Sequence, residues 1–411
     1  MEGTVAVQLP QEVLDTILNK LHLEDDVQTL KQCALTARCL VQTAQRILFY
    51  EVWLDEGSLR HNPHFFLILV EDSPHLAKYV TELGLCIISP QWGNEYPLAY
   101  LLSRLQSLKR VLLRTYPDVA PLPISTLPGG TAIRSFTLID ASVTFAMFNW
   151  LAAHSGLQDL HFIRVRALDS DATLPSMASQ AVSSYAPVQL RRFKIDMCAL
   201  ETTEALLQWA TESGSPMRFD TLRELTVSHL TQQSFVYLLR ILDMAKDSLS
   251  CLQLVGNIPR LSSIRFSTYR NLRRIIYGNS LNSPSKTMLK AWCIALKESR
   301  EIKLESFVIS LLHGLEGGWL QYHDYPWKEL EDALISGGRC ARLVLYIVHA
   351  NSIGTNADTI RELFPQLHAS DACDLVVQNP DRFYSESGLY WEYTPRSGER
   401  MVVQPFDDLF Y

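Results

Sequence analysis

A short phrase governs what this chain can fold into: an aliphatic residue, two variable positions, an apolar residue, one variable position and another apolar residue. It occurs at Val80-Leu83-Leu85, Leu108-Val111-Leu113, Ile133-Phe136-Leu138, Leu157-Leu160-Phe162 and Leu190-Phe193-Ile195. It returns at Leu222-Leu225-Val227, Leu249-Leu252-Leu254, Leu272-Ile275-Tyr277, Leu304-Phe307-Ile309 and Cys340-Leu343-Leu345. Successive copies start 23 to 36 residues apart. The last two apolar positions are two residues apart, the spacing that puts side chains on one face of a β-strand. A strand recurring at such a period predicts a solenoid in which each unit buries its apolar face only against the next. A further copy, Leu261-Ile264-Phe266, stands too close to its neighbours for a full unit and reads as an irregular strand or a chance match.

Helical periodicity fills several intervals, namely Ser142 to His154, Leu200 to Ser213, Thr231 to Ser248, Ser285 to Ser299 and Trp327 to Ile335. The alternation predicts an α/β fold, a curved parallel sheet on the concave face with helices outside. Residues 89–97 and 117–130 are too dense in Pro and Gly for helix or central strand and read as loops, as does 169–187 with one short helix. From residue 378 the phrase is lost, and the aromatic tail 378–411 reads as a cap or tail.

Ahead of the phrases, residues 9–54 carry a different pattern. Pro10 suits a first helical turn and Glu12 suits the positive helix N-terminus, while Val13, Leu14, Ile17, Leu18 and Leu21 follow at helical spacing. Residues 24–26 offer caps for a second helix carrying Val27, Leu30 and Ala34. Thr36 can cap a third carrying Leu40, Val41, Ala44, Ile47 and Leu48. Three helices of this size bury little core alone and lean on a neighbour or partner.

The Leu9-Pro10-x-Glu12-Val13-Leu14-x-x-Ile17-Leu18 opening, the Cys33-Ala34-Leu35 turn, Arg38 and the Leu48-Phe49-Tyr50-Glu51-Val52 exit resemble an F-box of the type common in basidiomycete fungi. The family's usual aromatic residue just after Arg38 is here Leu40, preceded by Cys39. The strand phrases resemble degenerate leucine-rich repeats, for the Asn or Cys that usually follows each strand is mostly missing. The two resemblances divide the chain into an F-box (1–54), a leucine-rich-repeat-like solenoid (55–377) and the terminal segment (378–411). They imply a substrate-receptor subunit of a Skp–cullin–F-box ubiquitin ligase, or else an interaction scaffold that uses the F-box for assembly without ubiquitination. Leu9, Pro10, Glu12, Val13, Ile17, Leu30 and Leu40 would then meet the Skp-type adaptor, which brings the cullin. An unknown protein substrate would sit on the repeats.

Composition narrows the classes further. Among 411 residues, 47% are hydrophobic and 20% charged, ordinary for a folded protein, and the net charge of -7 gives no broad attraction to nucleic acid or anionic lipid. No secretory signal or bilayer-spanning run is seen, and eight scattered cysteines without a Cys-x-x-Cys fit reduced thiols, so a cytoplasmic or nuclear protein is expected. No phosphate loop, nucleophile elbow or zinc-binding His pair occurs, and His61 and His64 lack further ligands nearby, so neither catalysis, metal nor cofactor is expected.

Strand alternation sets the last expectation. If Leu190, Phe193 and Ile195 face the core, Arg192, Lys194 and Asp196 face the other way. The same rule puts Arg110, His161, Arg274 and Tyr346 on that side, and its Arg content suits an acidic or phosphorylated peptide. Arg110, His161, Arg192, Lys194, Arg274 and Tyr346 are therefore the candidate substrate contacts.

Overall fold

The computed structural model describes residues 10–23, 27–36, 38–59, 61–88, 96–115, 133–143, 147, 150–151, 154–167, 187–212, 215–278, 285–299, 303–312, 324–335, 340–348, 364–369 and 374–378. Twelve strands form one parallel sheet: β1 (Glu51–Asp55), β2 (Glu82–Ile87), β3 (Arg110–Thr115), β4 (Ser135–Ile139), β5 (Asp159–Ile163) and β6 (Arg192–Asp196). The second half is β7 (Glu224–Ser228), β8 (Cys251–Val255), β9 (Arg274–Tyr277), β10 (Ser306–Leu312), β11 (Arg342–Val348) and β12 (Asp374–Gln378). Each strand pairs only with the strands before and after it in this series, so the order is that of the chain from edge to edge. All ten phrases lie on strands β2 to β11.

The register explains why the phrase matters. One apolar row runs in pairing order from Val52 through Leu83, Val111 and Phe136 toward Leu343 and Leu375. A second runs from Leu54 through Leu85 and Leu113 toward Leu345 and Val377. A slip of one residue in any strand would turn both rows to the opposite face. The phrase's first aliphatic residue precedes the strand and is buried in the same core, as at Leu108, Leu190 and Leu222, each 0% exposed.

Helices between the strands cover that face, whereas α1 (Gln11–Leu23), α2 (Val27–Thr36) and α3 (Arg38–Leu48) precede the sheet and close a core of their own. The covering helices are α4 (Pro63–Asp72), α5 (Tyr96–Arg104), α6 (Leu200–Thr211), α7 (Gln232–Met244), α8 (Lys286–Glu298), α9 (Trp327–Ile335) and α10 (Pro365–Ala369). Leu206, Leu238, Ile241, Leu289, Trp292 and Leu330 from these connecting helices share one core with the strand rows. The opposite face has apolar clusters made of strand residues alone: Leu112, Ile139 and Ile163 beside Trp53, and Ile276, Val308 and Val344 beside Cys251. We call it the open face. Trp53 lies flat across Gly84 there, where any Cβ would fall 2.3 Å from the indole.

Local chemistry sets the element ends. Ser285 caps α8 by accepting the Met288 N–H at 3.1 Å, and Thr231 and Ser234 cap α7 reciprocally. Asp140, Arg164, Met197 and His229, each just past its strand, have φ of 53 to 56°, and Gly256 has φ 84° at the next equivalent place. A left-handed residue turns the chain off the sheet at one register in five successive strands.

Three expectations change. The sheet is open and not curled, with β1 and β12 as its edges. Curling needs every unit to wedge its neighbour by a similar angle, and connections ranging from two 3-10 turns to a thirteen-residue helix do not supply one. The extra phrase is those 3-10 turns, Leu261–Ser263 and Phe266–Thr268, with Leu261, Ile264 and Phe266 buried. The segment after Ser142 opens as a two-residue strand, Ser142–Val143, paired with Arg166–Ala167, and is helical as expected only further on, at Met147, Trp150 and Leu151. Helix α5 also takes in Pro97, whose missing N–H is harmless in a first turn. The terminal segment beyond Gln378 lies outside the described residues.

Candidate functional site

Two surfaces carry the candidate residues. The first is the three-helix unit, whose core is Leu18, Leu30, Ala44 and Ile47, flanked by Leu21, Cys33, Ala34, Leu40 and Leu48. Asp15 ties α1 to α3: its carboxylate accepts from the Thr43 hydroxyl at 2.6 Å and the Gln11 amide at 2.9 Å. These two hydrogen bonds, the Thr43 one foremost, hold the Asp15 carboxyl below its ordinary range. Val13 and Ile17 stay outside this core, 42% and 48% exposed, and Leu35 on α2 is 81% exposed. Pro10 and Glu12 are exposed as well. Val13 and Ile17 are four residues apart and share one stripe of α1, with Pro10 directly before the helix.

Leu30 differs from the expectation. At 1% exposure it holds the helices together and has no surface to offer a partner. Leu40 is half-buried against the same core. Leu9 lies outside the described residues.

The second surface is the open face. Its middle row reads Leu112, Thr137, His161, Lys194, Thr226, Gln253 and Ile276 in pairing order, a polar window between the two apolar clusters. His161 and Lys194 are register partners, 4% and 7% exposed, and His161 Nδ1 stands 3.4 Å from the Thr137 hydroxyl. Two of the expected arginines face carboxylates on the preceding strand. Arg192 donates to both oxygens of Asp159 at 2.9 and 2.8 Å, and Arg110 lies 3.2 Å from Glu82. Arg274 is exposed three strands beyond Arg192, and Tyr346 pairs through its backbone between Ser310 and Gln378. The structure therefore brings Arg192, His161 and Lys194 together and leaves Arg110, Arg274 and Tyr346 apart from them.

Alternation alone missed the residue directly before each strand. The Thr81 carbonyl accepts from the N–H groups of Lys109 and Arg110 at 2.8 and 3.0 Å, and the Arg191 carbonyl accepts from Arg223 and Glu224 at 2.8 and 3.1 Å. This forked bond recurs along the sheet and lines up Thr81, Lys109, Arg134, Gln158, Arg191, Arg223, Ser250 and Arg273 on the rim where the strands begin. The signal was in the sequence: a basic residue directly follows the phrase's first aliphatic residue in five of the ten copies. Between Tyr50 and Asp159 the rim holds a cleft of about 210 Å³, with Lys109, Arg110 and Arg134 in its wall.

Burial sets the thiol chemistry. Cys198, Cys251 and Cys293 are each pushed up to about 12, chiefly by desolvation, and Cys86 to about 11. Exposed Cys39 should react with iodoacetamide in the native chain, whereas the buried Cys198 and Cys293 should react only on unfolding. Mass spectrometry of labelled peptides with and without denaturant checks this, and fast native labelling of Cys198 would contradict the packing. Among the described residues no three His, Cys, Asp or Glu side chains gather as metal ligands, and His64 stands exposed in the first turn of α4. Nor is any described helix long and apolar enough to cross a membrane.

No protein-family model matches the chain, and no curated protein matches it.

Proposed function

We propose that this chain is the substrate-receptor subunit of a Skp–cullin–F-box ubiquitin ligase. The observation that carries the reading is the exposed apolar stripe of α1, Val13 and Ile17, on a helical unit that already closes its own small core. Large apolar side chains left outside such a core suit a partner that buries them. The face on which no described helix packs and the strictly sequential strands support the second half, a leucine-rich-repeat-like solenoid that holds a protein substrate. On this reading the chain works in the cytoplasm or nucleus and supplies proximity and orientation, with ubiquitin transfer left to other subunits. Its substrate contacts include the polar window around Arg192, His161 and Lys194.

Affinity purification of the full chain tests the proposal. Recovery of both the Skp-type adaptor and the cullin is the expected result. Recovery of the adaptor without cullin would replace the receptor with an assembly scaffold, and recovery of neither would end both readings.

A further inference from the structure

Charge is distributed unevenly along the rim where the strands begin. From β2 to β10, the last residue before each strand and the first within it include eight cations and four carboxylates, in a protein whose net charge is -7. Several of these charges are already matched: Arg110 by Glu82, Arg192 by Asp159 and, at 4.0 Å, Arg273 by Glu305. Lys109, Arg134, Arg191, Arg223 and Arg274 are exposed and form no ion pair among the described residues. Because the forked backbone bonds fix one rim position in strand after strand, four of these cations, Lys109, Arg134, Arg191 and Arg223, stand in a line, while Arg274 is the first residue within β9.

The spacing of that line identifies a ligand class. Lys109 on β3 and Arg223 on β7 are four strand steps apart, about 19 Å at ~4.8 Å per step. Four cations over that length stand on average about 6.4 Å apart, close to the ~6.7 Å between alternate side chains of an extended chain. We propose that this rim binds an extended polypeptide segment with Asp or Glu on alternate residues, its first carboxylate in the cleft walled by Lys109, Arg110 and Arg134. Arginine's planar fork suits each carboxylate.

A carboxylate beside the line decides against other anions. Asp159 is held by Arg192, but Glu224 is exposed, forms no ion pair among the described residues and repels a doubly charged phosphate more than a carboxylate. A nucleic acid would meet the same repulsion with little compensation by stacking, since Tyr50 borders the cleft but no aromatic residue occupies either rim position from β2 to β10. As the substrate side of the receptor, the acidic segment rests on the function proposed above, but its binding requires neither adaptor nor cullin.

The experiment measures fluorescence anisotropy of labelled twelve-residue probes with the purified full chain. The probes are an alternating Glu-Ser peptide, its Gln-Ser counterpart, a Gln-phosphoserine counterpart and a single-stranded oligonucleotide. The Glu-Ser peptide should bind tightest and weaken as salt rises. Arg191→Glu/Arg223→Glu should weaken it at least tenfold, and Lys286→Glu/Lys290→Glu on the exposed side of α8 by less than twofold. Should the rim variant melt early, Arg191→Gln/Arg223→Gln replaces it, with a smaller loss in the same direction. The proposal is overturned if the Gln-Ser peptide binds as well, if both double variants lose equally or neither loses, or if the phosphopeptide or oligonucleotide binds tighter. Because no adaptor is present, failure here leaves the copurification result untouched, and failed copurification leaves this binding untouched.

Discussion

Replacing Trp292 with Ala is expected to lower the stability of the chain by about 3–5 kcal/mol, a large share of what an ordinary domain possesses. Trp292 is 0% exposed on α8 and gathers three aromatic neighbours from different elements. Phe266 of the second 3-10 turn stacks on it at 5.4 Å, Tyr277 of β9 lies at 5.6 Å, and Phe307 of β10 meets it edge-on at 5.6 Å. The indole thus joins three successive units across the helix face. Its removal opens a cavity that the strands cannot close, because their spacing is fixed by backbone hydrogen bonds.

A second variant separates the cavity from the loss of indole chemistry. Trp292 Nε1 is buried with no hydrogen-bond partner among the described residues. Trp292→Phe removes that donor and retains a ring, and should cost under about 2 kcal/mol. Urea unfolding followed by circular dichroism reads both variants. A loss below about 1 kcal/mol for the Ala variant would mean that the cluster does not pack the array.

The sequence revealed strand positions better than strand edges, for a physical reason. The phrase works because two alternating apolar rows and a buried leading aliphatic residue are needed wherever a strand has a neighbour on both sides. The strands of the main sheet that it missed are the two edges, and both carry it in altered form. Phe49-Val52-Leu54 leads with an aromatic residue and Ala372-Leu375-Val377 with a small one. The extra phrase misled because Leu261, Ile264 and Phe266 are buried as a strand's residues would be, yet the spacing of three from Leu261 to Ile264 serves a 3-10 turn equally well.

Candidate contacts were less legible than the core. Alternation correctly put Arg110 and Arg192 on the open face but carried no information about Glu82 and Asp159, which become their neighbours only through register. The rim cations escaped for the opposite reason: they precede the strand, where the two-residue period no longer applies. Similarly, Leu30 and Ile17 are both apolar residues at helical spacing, and only the packing of three helices makes one interior and leaves the other outside.

That contrast supports the other large effect, a loss of about a thousandfold in capture of the Skp-type adaptor by Val13→Asp/Ile17→Asp. An apolar anchor that a partner desolvates is typically worth about 2 kcal/mol, and two of them about 4 kcal/mol, or nearly three powers of ten in affinity. Both side chains are almost half exposed in the chain itself, so the substitutions remove little from the core of Leu18, Leu30, Ala44 and Ile47. Helical circular dichroism should accordingly stay near the parent value. Leu30→Ala is the internal control: it strikes the same helical unit from inside, should cost about 2–5 kcal/mol, and should reduce capture only by melting the unit. Pulldown with immobilised adaptor, run beside thermal melts of all three proteins, distinguishes a lost contact from a lost fold. Undiminished capture by the folded Val13→Asp/Ile17→Asp chain would rule out the α1 stripe as the adaptor contact and, with it, the observation on which the receptor reading rests.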